Sequence, residues 1–361
     1  MNKLILRTAA ILVAAVLFTQ PGGAVSAEKA VVLDAATGRM LYEKNADERS
    51  LIASTTQIMT ALIVCQQCNV LDRVRISAEA VGVEGSSMYL QEGEVLTVQE
   101  LLYGLMLRSG NDAAAALAIH CGGTVEGFAE LMNDKARDLG LANTHFVNPH
   151  GLDAPDHYST ARDLAVLSAY AMEDPIFART VGAKTVTVGE RTLKNHNKLL
   201  WQLPGCEGIK TGYTRAAGRI LVSSAAREGR RLICVTINAP DDWNDHKNLL
   251  EKGFADYAVQ QIVAEGEVLG HRYIVGGDGT RVPLVAAKDF TYALAPGEEI
   301  GIVLSPQLFS FAPVRGGRPE GCAYAVLDGR VVGEIPLVWA WTQEETKEKD
   351  RTLLERLFGG S

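Results

Sequence analysis

Residues 30–45 read AVVLDAATGRMLYEKN, and the prediction of the fold starts from this stretch. Two apolar runs flank a turn at Asp34 to Gly38, which predicts an antiparallel β-hairpin. Apolar residues recur at helical spacing from about Thr55 onward. After Thr185 the pattern changes to β-rich runs. A hairpin, a block of helices and then strands predict a mixed α/β (α+β) fold, in which helices surround an antiparallel sheet.

Local signals divide the helical block and the region that follows it. Residues 97–100, TVQE, form a capping box that predicts the start of a helix, and this helix should end at the turn 109–111. Beyond the helices, the β-rich runs are residues 185–188, 219–223 and 231–237, followed by a helical stretch at 249–258.

From about residue 263 to Trp341, short Val, Ile and Leu runs alternate with Gly and Pro. This pattern is typical of a small all-β domain. We therefore expect a main α/β domain at residues 28–262 and a β-sandwich-like domain at 263–342. A length of 361 residues also favours two domains, since a domain typically has about 150 residues.

Composition and charge exclude several classes of protein. Apolar residues make up 47% and charged residues 22%, which is ordinary for globular proteins and excludes disordered and collagen-like chains. Lys and Arg number 35 against 43 Asp and Glu, for a net charge of −8. An acidic chain without a run of basic residues is a poor nucleic-acid binder, so we expect no nucleic-acid partner.

The N-terminus resembles a secretory signal peptide. Lys3 and Arg7 precede an apolar run at 9–18, and the small residues Val25-Ser26-Ala27 follow. A transmembrane anchor is the alternative, but the run is shorter than the roughly 18 residues that a span needs. We expect residues 1–27 to be removed after Ala27. The protein is then exported, to the cell wall or the outer face of the cytoplasmic membrane.

The tail at residues 343–361 is charged and helical in pattern. Its apolar side is formed by Leu353, Leu354, Leu357 and Phe358. A solvated helix with a small docking face is one interpretation, and a weak peripheral membrane contact is the other. Acidic and basic residues are mixed in the tail, which favours the solvated helix.

No metal or cofactor is expected. The chain has six cysteines and seven histidines, but no H-E-x-x-H run and no second close cysteine pair that would complete a zinc site. Cys65 and Cys68 have the spacing of a redox pair but lie in an apolar helical stretch. Most of the cysteines are therefore expected to be small buried residues.

Three short motifs occur in order along the chain. They are Ser54-Thr-Thr-Gln57, Ser109-Gly110-Asn111 and Lys210-Thr211-Gly212. Each motif alone is weak evidence, because short motifs recur by chance. The ordered set resembles the S-x-x-K, S-x-N and K-T-G motifs of penicillin-binding proteins and serine β-lactamases.

Longer phrases narrow this resemblance. The stretches LANTHFVNPHGLD at 141–153, HYSTARDLAVL at 157–167 and GIKTGYT at 208–214 are similar to the low-molecular-weight D-alanyl-D-alanine carboxypeptidases. The opening VVLDAATGRMLYEKNADE at 31–48 resembles their N-terminal hairpin, and the β-domain resembles their C-terminal domain. The resemblance covers essentially the whole chain after the predicted signal peptide.

The resemblance implies a role for each motif residue. Ser54 would be the nucleophile that attacks the peptide carbonyl between two D-alanines, with the backbone N–H groups of Ser54 and Tyr213 as the oxyanion hole. Ser109 would relay protons to the leaving amine. Asn111 would hold the amide of the substrate, and Lys210 and Thr211 would receive the terminal carboxylate of the substrate. Gly212 would allow the substrate backbone to approach the strand closely.

The chain departs from the family motif at position 57, where Gln replaces the base lysine. A neutral amide cannot accept a proton at neutral pH. Loss of a general base typically lowers the rate about 10²–10⁴-fold. If the three side chains touch, Lys210 would act as a poor substitute base through Ser109.

The function implied is removal of the terminal D-Ala from peptidoglycan pentapeptide through a Ser54 acyl-enzyme. β-Lactam antibiotics would acylate the same serine. The alternative is a catalytically impaired peptidoglycan-binding relative, because Gln57 replaces the base. A β-lactam-hydrolysing enzyme is disfavoured, since the chain has no E-x-x-L-N run to supply the deacylating glutamate.

Overall fold

The structure is a computed structural model that describes residues 25–277, 281–305, 307 and 309–345. Residues 1–24 of the predicted signal peptide and residues 346–361 of the predicted helical tail lie outside the described residues. Among the residues it describes, no helix is both long and apolar enough to cross a membrane.

The elements follow one another in an order that matches the predicted fold class. The helices are α1 (Gln57–Gln67), α2 (Val98–Arg108), α3 (Asn111–Gly122), α4 (Val125–Asp138), α5 (Ala161–Ala171), α6 (Pro175–Gly182), α7 (Leu199–Gln202) and α8 (Asp242–Asp256). The strands of the main sheet and its neighbours are β1 (Lys29–Asp34), β2 (Met40–Lys44), β3 (Arg73–Arg75), β4 (Val95–Thr97), β5 (Thr185–Val188), β6 (Arg191–Lys194), β7 (Cys206–Thr214), β8 (Gly218–Arg227) and β9 (Arg230–Ile237). The strands that follow α8 are β10 (Ala258–Val263), β11 (Val268–Val275), β12 (Arg281–Ala286), β13 (Phe290–Leu294), β14 (Gly301–Leu304), β15 (Phe309–Phe311), β16 (Pro319–Leu327) and β17 (Arg330–Trp339).

The main sheet has five antiparallel strands in the order β2-β1-β9-β8-β7. The predicted hairpin is confirmed, because β1 and β2 pair antiparallel from Ala30 opposite Lys44. Successive residues of a strand point to opposite faces of the sheet. Val31 accordingly packs in the core shared with the helical block, whereas Val32 packs in a second core with α8. The sheet is therefore buried on both faces.

Helix α1 lies at the centre of the helical block. Its residues from Gln57 to Cys65 are all buried, and it contacts α2, α3, α4, α5 and α6. A helix that is apolar on every side belongs in the interior of a domain. The 3-10 turn Ala53–Thr56 that precedes α1 is consequently held in a fixed position against the sheet.

The predicted capping box is confirmed at the start of α2. The Thr97 hydroxyl oxygen accepts a hydrogen bond from the Glu100 backbone N–H at 3.2 Å, and the Glu100 carboxylate accepts one from the Thr97 N–H at 2.7 Å. The helix ends at Arg108 because Ser109 adopts the left-handed conformation, with φ 60°. Helix α3 begins directly afterwards at Asn111.

The strands after α8 form mainly one six-stranded sheet, in the order β14-β16-β17-β12-β11-β15. Its apolar residues make a core of their own around Ile335 and Leu337. The predicted domain boundary at residue 263 coincides with the last residue of β10, which pairs with β13. The domain limits of 28–262 and 263–342 stay a prediction.

Two expectations differ from the structure. The helix expected at 249–258 begins earlier, at Asp242, because acidic residues such as Asp242 and Asp245 occupy its first turn and mask the apolar pattern. Acidic side chains stabilise this end of a helix. The burial expected for most cysteines is wrong, since only Cys65 and Cys234 are buried, and all six are free thiols.

Candidate active site

The three short motifs meet in one region of the main domain. The elements that carry them are the 3-10 turn with Ser54, the first turn of α1 with Gln57, the α2–α3 junction with Ser109 and Asn111, and strand β7 with Lys210, Thr211, Gly212 and Tyr213. Strand β7 begins before its motif, at Cys206, which already pairs with Ala225 of β8. The K-T-G motif therefore lies inside the strand and not at its start.

The turn that carries Ser54 packs tightly against β7. Ala53 has a positive φ of 46°, a conformation that costs a non-glycine residue roughly 1–3 kcal/mol and is often found at functional sites. A Cβ atom on Gly212 would lie 3.2 Å from the Ile52 carbonyl oxygen and 3.3 Å from the Ser54 nitrogen. Gly212 thus allows β7 to approach the Ser54 turn, a contact that the sequence did not indicate.

Gln57 is completely buried, and its side-chain amide is held by four hydrogen bonds. The Nε2 group donates to Asn111 Oδ1 at 3.1 Å, to the His150 carbonyl oxygen at 3.3 Å and to the Ser109 carbonyl oxygen at 3.4 Å. The Oε1 atom accepts from the Ser109 hydroxyl at 3.2 Å. Three acceptors thus surround a nitrogen with only two hydrogens, and an ammonium group would offer three.

Lys210 and Ser109 continue this network. The Lys210 Nζ atom donates to Ser109 Oγ at 2.9 Å and to the Thr211 carbonyl oxygen at 2.8 Å. Only 2% of Lys210 is exposed, and no carboxylate of the described residues forms an ion pair with it. Burial lowers the pKa of its ammonium group to about 7. Only the Ser109 hydroxyl therefore separates Gln57 from an amine that gives up its proton near neutral pH.

Asn111 is fixed between Gln57 and the loop that precedes β4. Its Oδ1 atom accepts from Gln57, and its Nδ2 group donates to the Glu84 carbonyl oxygen at 2.6 Å. The side chain is 4% exposed. Its amide is therefore oriented by the protein before any substrate arrives.

A cleft of about 310 Å³ opens beside Ser54. The residues that line it are Ser54, Ser86, His196, Thr211, Gly212, Tyr213, Arg219, Ile220, Asp242 and Trp243. Tyr213 is exposed, and it lies opposite Arg219 in the β7–β8 pairing. A larger cavity of about 840 Å³ lies in the six-stranded sheet region and contains none of the motif residues.

Known proteins with similar sequences share one family description. A family model described as D-alanyl-D-alanine carboxypeptidase matches residues 15–241. The chain is 32% identical over 349 residues to D-alanyl-D-alanine carboxypeptidase DacF of Bacillus subtilis, covering 92% of this chain and 89% of the relative. It is 34% identical over 342 residues to DacC of Escherichia coli, covering 89% and 85%. The chain belongs to the D-alanyl-D-alanine carboxypeptidase family.

Solved structures give the same result for the fold. Penicillin binding protein 5 from Haemophilus influenzae aligns with a TM-score of 0.79 at 31% identity, over 91% of this chain and 99% of that chain. Penicillin binding protein 6B from Escherichia coli aligns with a TM-score of 0.71 at 30% identity, over 89% and 98%. The likeness spans both the helical block and the β-strands that follow α8.

The side chains that complete the cleft of this carboxypeptidase belong to none of the sequence motifs. They are Ser86, His196, Arg219, Ile220, Asp242 and Trp243. Arg219 Nη2 donates to both carboxylate oxygens of Asp242, at 2.7 and 2.8 Å. The positions of Arg219 and Ile220 could have been found by pairing β7 with β8 across their turn, which places them opposite Tyr213 and Gly212. The others reach the cleft through tertiary packing.

His157 of the carboxypeptidase has a structural role. The Val147 N–H donates to His157 Nδ1 at 3.0 Å, so the Nε2 atom carries the hydrogen and donates to the Thr56 hydroxyl at 2.8 Å. Burial lowers the pKa of His157 to about 4. Within the described residues, no three His, Cys, Asp or Glu side chains converge on a position that could hold a metal ion.

Proposed function

We propose that this chain removes the terminal D-Ala from peptidoglycan pentapeptides through an acyl-enzyme on Ser54. The observation that carries the proposal is the hydrogen-bonded series Lys210–Ser109–Gln57, which ends one helical turn from Ser54 beside an open cleft. Membership of the D-alanyl-D-alanine carboxypeptidase family supports the reaction class.

Acylation under this proposal begins at the Ser54 hydroxyl. Its oxygen attacks the carbonyl carbon of the penultimate D-Ala, and the backbone N–H groups of Ser54 and Tyr213 stabilise the oxyanion. The carbon–nitrogen bond then breaks. The leaving D-Ala amine takes a proton from the Ser109 hydroxyl, which regains one from Lys210. Water hydrolyses the resulting ester and restores Ser54.

The proton of Ser54 needs an acceptor other than residue 57. Gln57 occupies the position of the motif lysine, and its amide has no basic nitrogen. Lys210 donates to Ser109 Oγ, and Ser109 in turn reaches Gln57. We infer that Lys210 accepts the Ser54 proton through Ser109. This route is longer than a direct contact, so acylation is slow compared with a chain that carries the lysine.

Release of D-Ala from a peptide ending in D-Ala-D-Ala tests this proposal. Gln57→Lys should raise kcat/KM by about 10²–10⁴-fold, because the new side chain places an amine one helical turn from Ser54, and its neutral form can accept the Ser54 proton directly. Gln57→Met is the matched control, since it keeps a long side chain but adds no base and should give no gain. Ser54→Ala should release no D-Ala.

A Gln57→Lys variant no faster than the wild type would contradict the assignment of position 57 to proton transfer.

The second candidate function is a peptidoglycan-binding protein without turnover, and the buried neutral Gln57 favours it. Peptide binding by the wild type without any D-Ala release, together with release by Gln57→Lys, would support that second candidate.

The remaining parts of the proposal concern location and partners. The charged and apolar N-terminal segment supports export, and the substrate lies outside the cytoplasm. β-Lactam antibiotics should acylate Ser54 because they present an equivalent carbonyl. A weak membrane contact through the tail stays a prediction, since residues 346–361 lie outside the described residues.

A further inference from the structure

Two half-buried thiols lie side by side at one end of the helical block. Cys68 directly follows α1, and Cys121 lies in the last turn of α3. The Cys121 thiol is hydrogen-bonded to the Gln67 Oε1 atom at 3.6 Å and to the Cys68 sulfur. Helices α1 and α3 pack against each other, so the contact between the two thiols is set by the fold.

The same two helices meet at the candidate active site with their other ends. Helix α1 begins at Gln57 and α3 at Asn111, and Gln57 Nε2 donates to Asn111 Oδ1 at 3.1 Å. The 11 residues of α1 place the thiols roughly 16 Å from Gln57 along the helix axis. The two sulfurs are therefore too far away to take part in the chemistry at Ser54.

The fold gives Cys68 a different partner from the one that the sequence spacing suggests. Cys65 is 8% exposed and lies inside α1, where burial raises the pKa of its thiol to about 12. A buried, protonated thiol is inert toward disulfides. Cys68 and Cys121 are each only half buried, so a reagent in solution can reach them.

We propose that Cys68 and Cys121 are a site of disulfide formation in the exported protein. The oxidant is a thiol oxidoreductase that carries a reactive disulfide outside the cytoplasm. The new bond closes a loop that contains α2, Ser109 and the Glu84 carbonyl group that holds Asn111. Because the closed loop lowers the entropy of the unfolded chain, the bond stabilises the fold around these groups.

The hydrogen bond between the thiols sets the order of the two steps. It lowers the pKa of Cys68, which accepts the bond, and raises the pKa of Cys121, which donates it. Cys68 therefore reacts first. Its thiolate attacks one sulfur of the oxidant, the sulfur–sulfur bond of the oxidant breaks, and a mixed disulfide forms.

The second step transfers the bond to Cys121. The negative charge has left Cys68, so Cys121 has lost the acceptor that held its proton. Cys121 gives up this proton, attacks the Cys68 sulfur and displaces the second thiolate of the oxidant. Two thiols of this chain are thus oxidised to a disulfide, and the disulfide of the oxidant is reduced to two thiols, which take up the two protons.

The test is to incubate the purified full chain, first reduced, with a mixture of oxidised and reduced glutathione. Free thiols are then alkylated in urea, and unreduced peptides are analysed by mass spectrometry. We expect one cross-link, between Cys68 and Cys121, and alkylation of the remaining cysteines. A cross-link between Cys65 and Cys68, a glutathione adduct on Cys68 without a cross-link, or alkylation of both Cys68 and Cys121 would overturn the proposal.

The inference rests on the proposed export only for the natural oxidant. Glutathione replaces that oxidant in the test, and no step involves Ser54. The pairing of the two cysteines can therefore fail while the proposed function stands, and the reverse also holds.

A second measurement tests the stabilisation. The oxidised wild type should have a thermal midpoint about 5 °C or more above that of the same protein in the reduced form. Cys121→Ala should show no such difference, whereas Cys65→Ala, the matched control, should keep it. Each variant is compared with its own reduced form, so a general loss of stability does not enter the comparison. Equal midpoints for the oxidised and reduced wild type, or loss of the difference in Cys65→Ala, would overturn the argument.

Discussion

At the scale of single residues, the site is defined by a buried amine and a buried amide that share one hydroxyl. Lys210 donates to Ser109, and Ser109 donates to Gln57. Burial of Lys210 without a carboxylate partner lowers its pKa to about 7, against an ordinary value of 10.5. The shift disfavours the charged form in the folded protein, which suits a proton acceptor but costs stability.

The first prediction at this scale concerns stability and pH. Below pH 7 Lys210 is charged in both the folded and the unfolded states, so the folded protein carries the full cost of the buried charge. Between pH 7 and about 10 only the unfolded state keeps the proton, so the wild type should gain roughly 1.4 kcal/mol per pH unit. The stability of Lys210→Met relative to the wild type should therefore be greatest at pH 6 and fall as the pH rises. Urea unfolding of both proteins at several pH values measures this difference.

A stability difference that stays flat from pH 6 to pH 10 would contradict this prediction. It would mean that Lys210 remains protonated well above neutral pH. The proposed acceptor for the Ser54 proton would then be lost as well, because only the neutral amine can take that proton.

Part of the site could be predicted from the sequence at the residue scale. Ser54, Ser109 and Lys210 each belong to a short contiguous motif, so their positions were evident before the structure. Two of the three acceptors around the Gln57 amide are backbone carbonyls, those of Ser109 and His150. Backbone groups carry no residue identity, so no sequence pattern could have revealed them.

At the scale of elements, local signals predicted α2 well because its start is fixed by side chains close in sequence. Thr97 and Glu100 bond to each other's backbone N–H groups. The sequence predicts the start of helix α8 less accurately, because the N-terminal turn of this helix is acidic and its burial depends on a sheet formed by distant residues. Where a boundary depends on tertiary contacts and not on a cap, the sequence carries less information about it.

The capping box gives a prediction at this scale. Thr97→Ala should lower the free energy of unfolding by about 1 kcal/mol, because the Glu100 N–H loses its side-chain acceptor. Thr97→Ser keeps the hydroxyl and is the matched control, with a smaller loss. Urea unfolding measures the free energy of unfolding of both variants, and the dependence of that free energy on urea concentration should stay unchanged. Equal losses for the two substitutions would show that the hydroxyl does not cap α2.

At the scale of the whole molecule, one ion pair joins the first hairpin to the strands after α8. The Arg39 guanidinium donates to both carboxylate oxygens of Glu298, at 2.6 and 2.7 Å, and also to the Ala293 carbonyl oxygen. Its guanidinium carbon lies 4.9 Å from the ring centre of Tyr257 and 5.4 Å from that of Tyr292. The alternation of short apolar runs with Gly and Pro predicts a second, β-rich region, but a long-range ion pair such as Arg39–Glu298 leaves no local sequence pattern.

The central claim is that Ser54 is a nucleophile in an intact cleft and that Lys210, through Ser109, replaces the missing lysine at position 57. Intact mass after incubation with penicillin tests this claim most directly, on the wild type, Gln57→Lys and Ser54→Ala side by side. We predict a single penicilloyl adduct that forms slowly on the wild type, rapidly on Gln57→Lys and not at all on Ser54→Ala. An adduct on Ser54→Ala, or an adduct on Gln57→Lys with none on the wild type at any time, would contradict the claim.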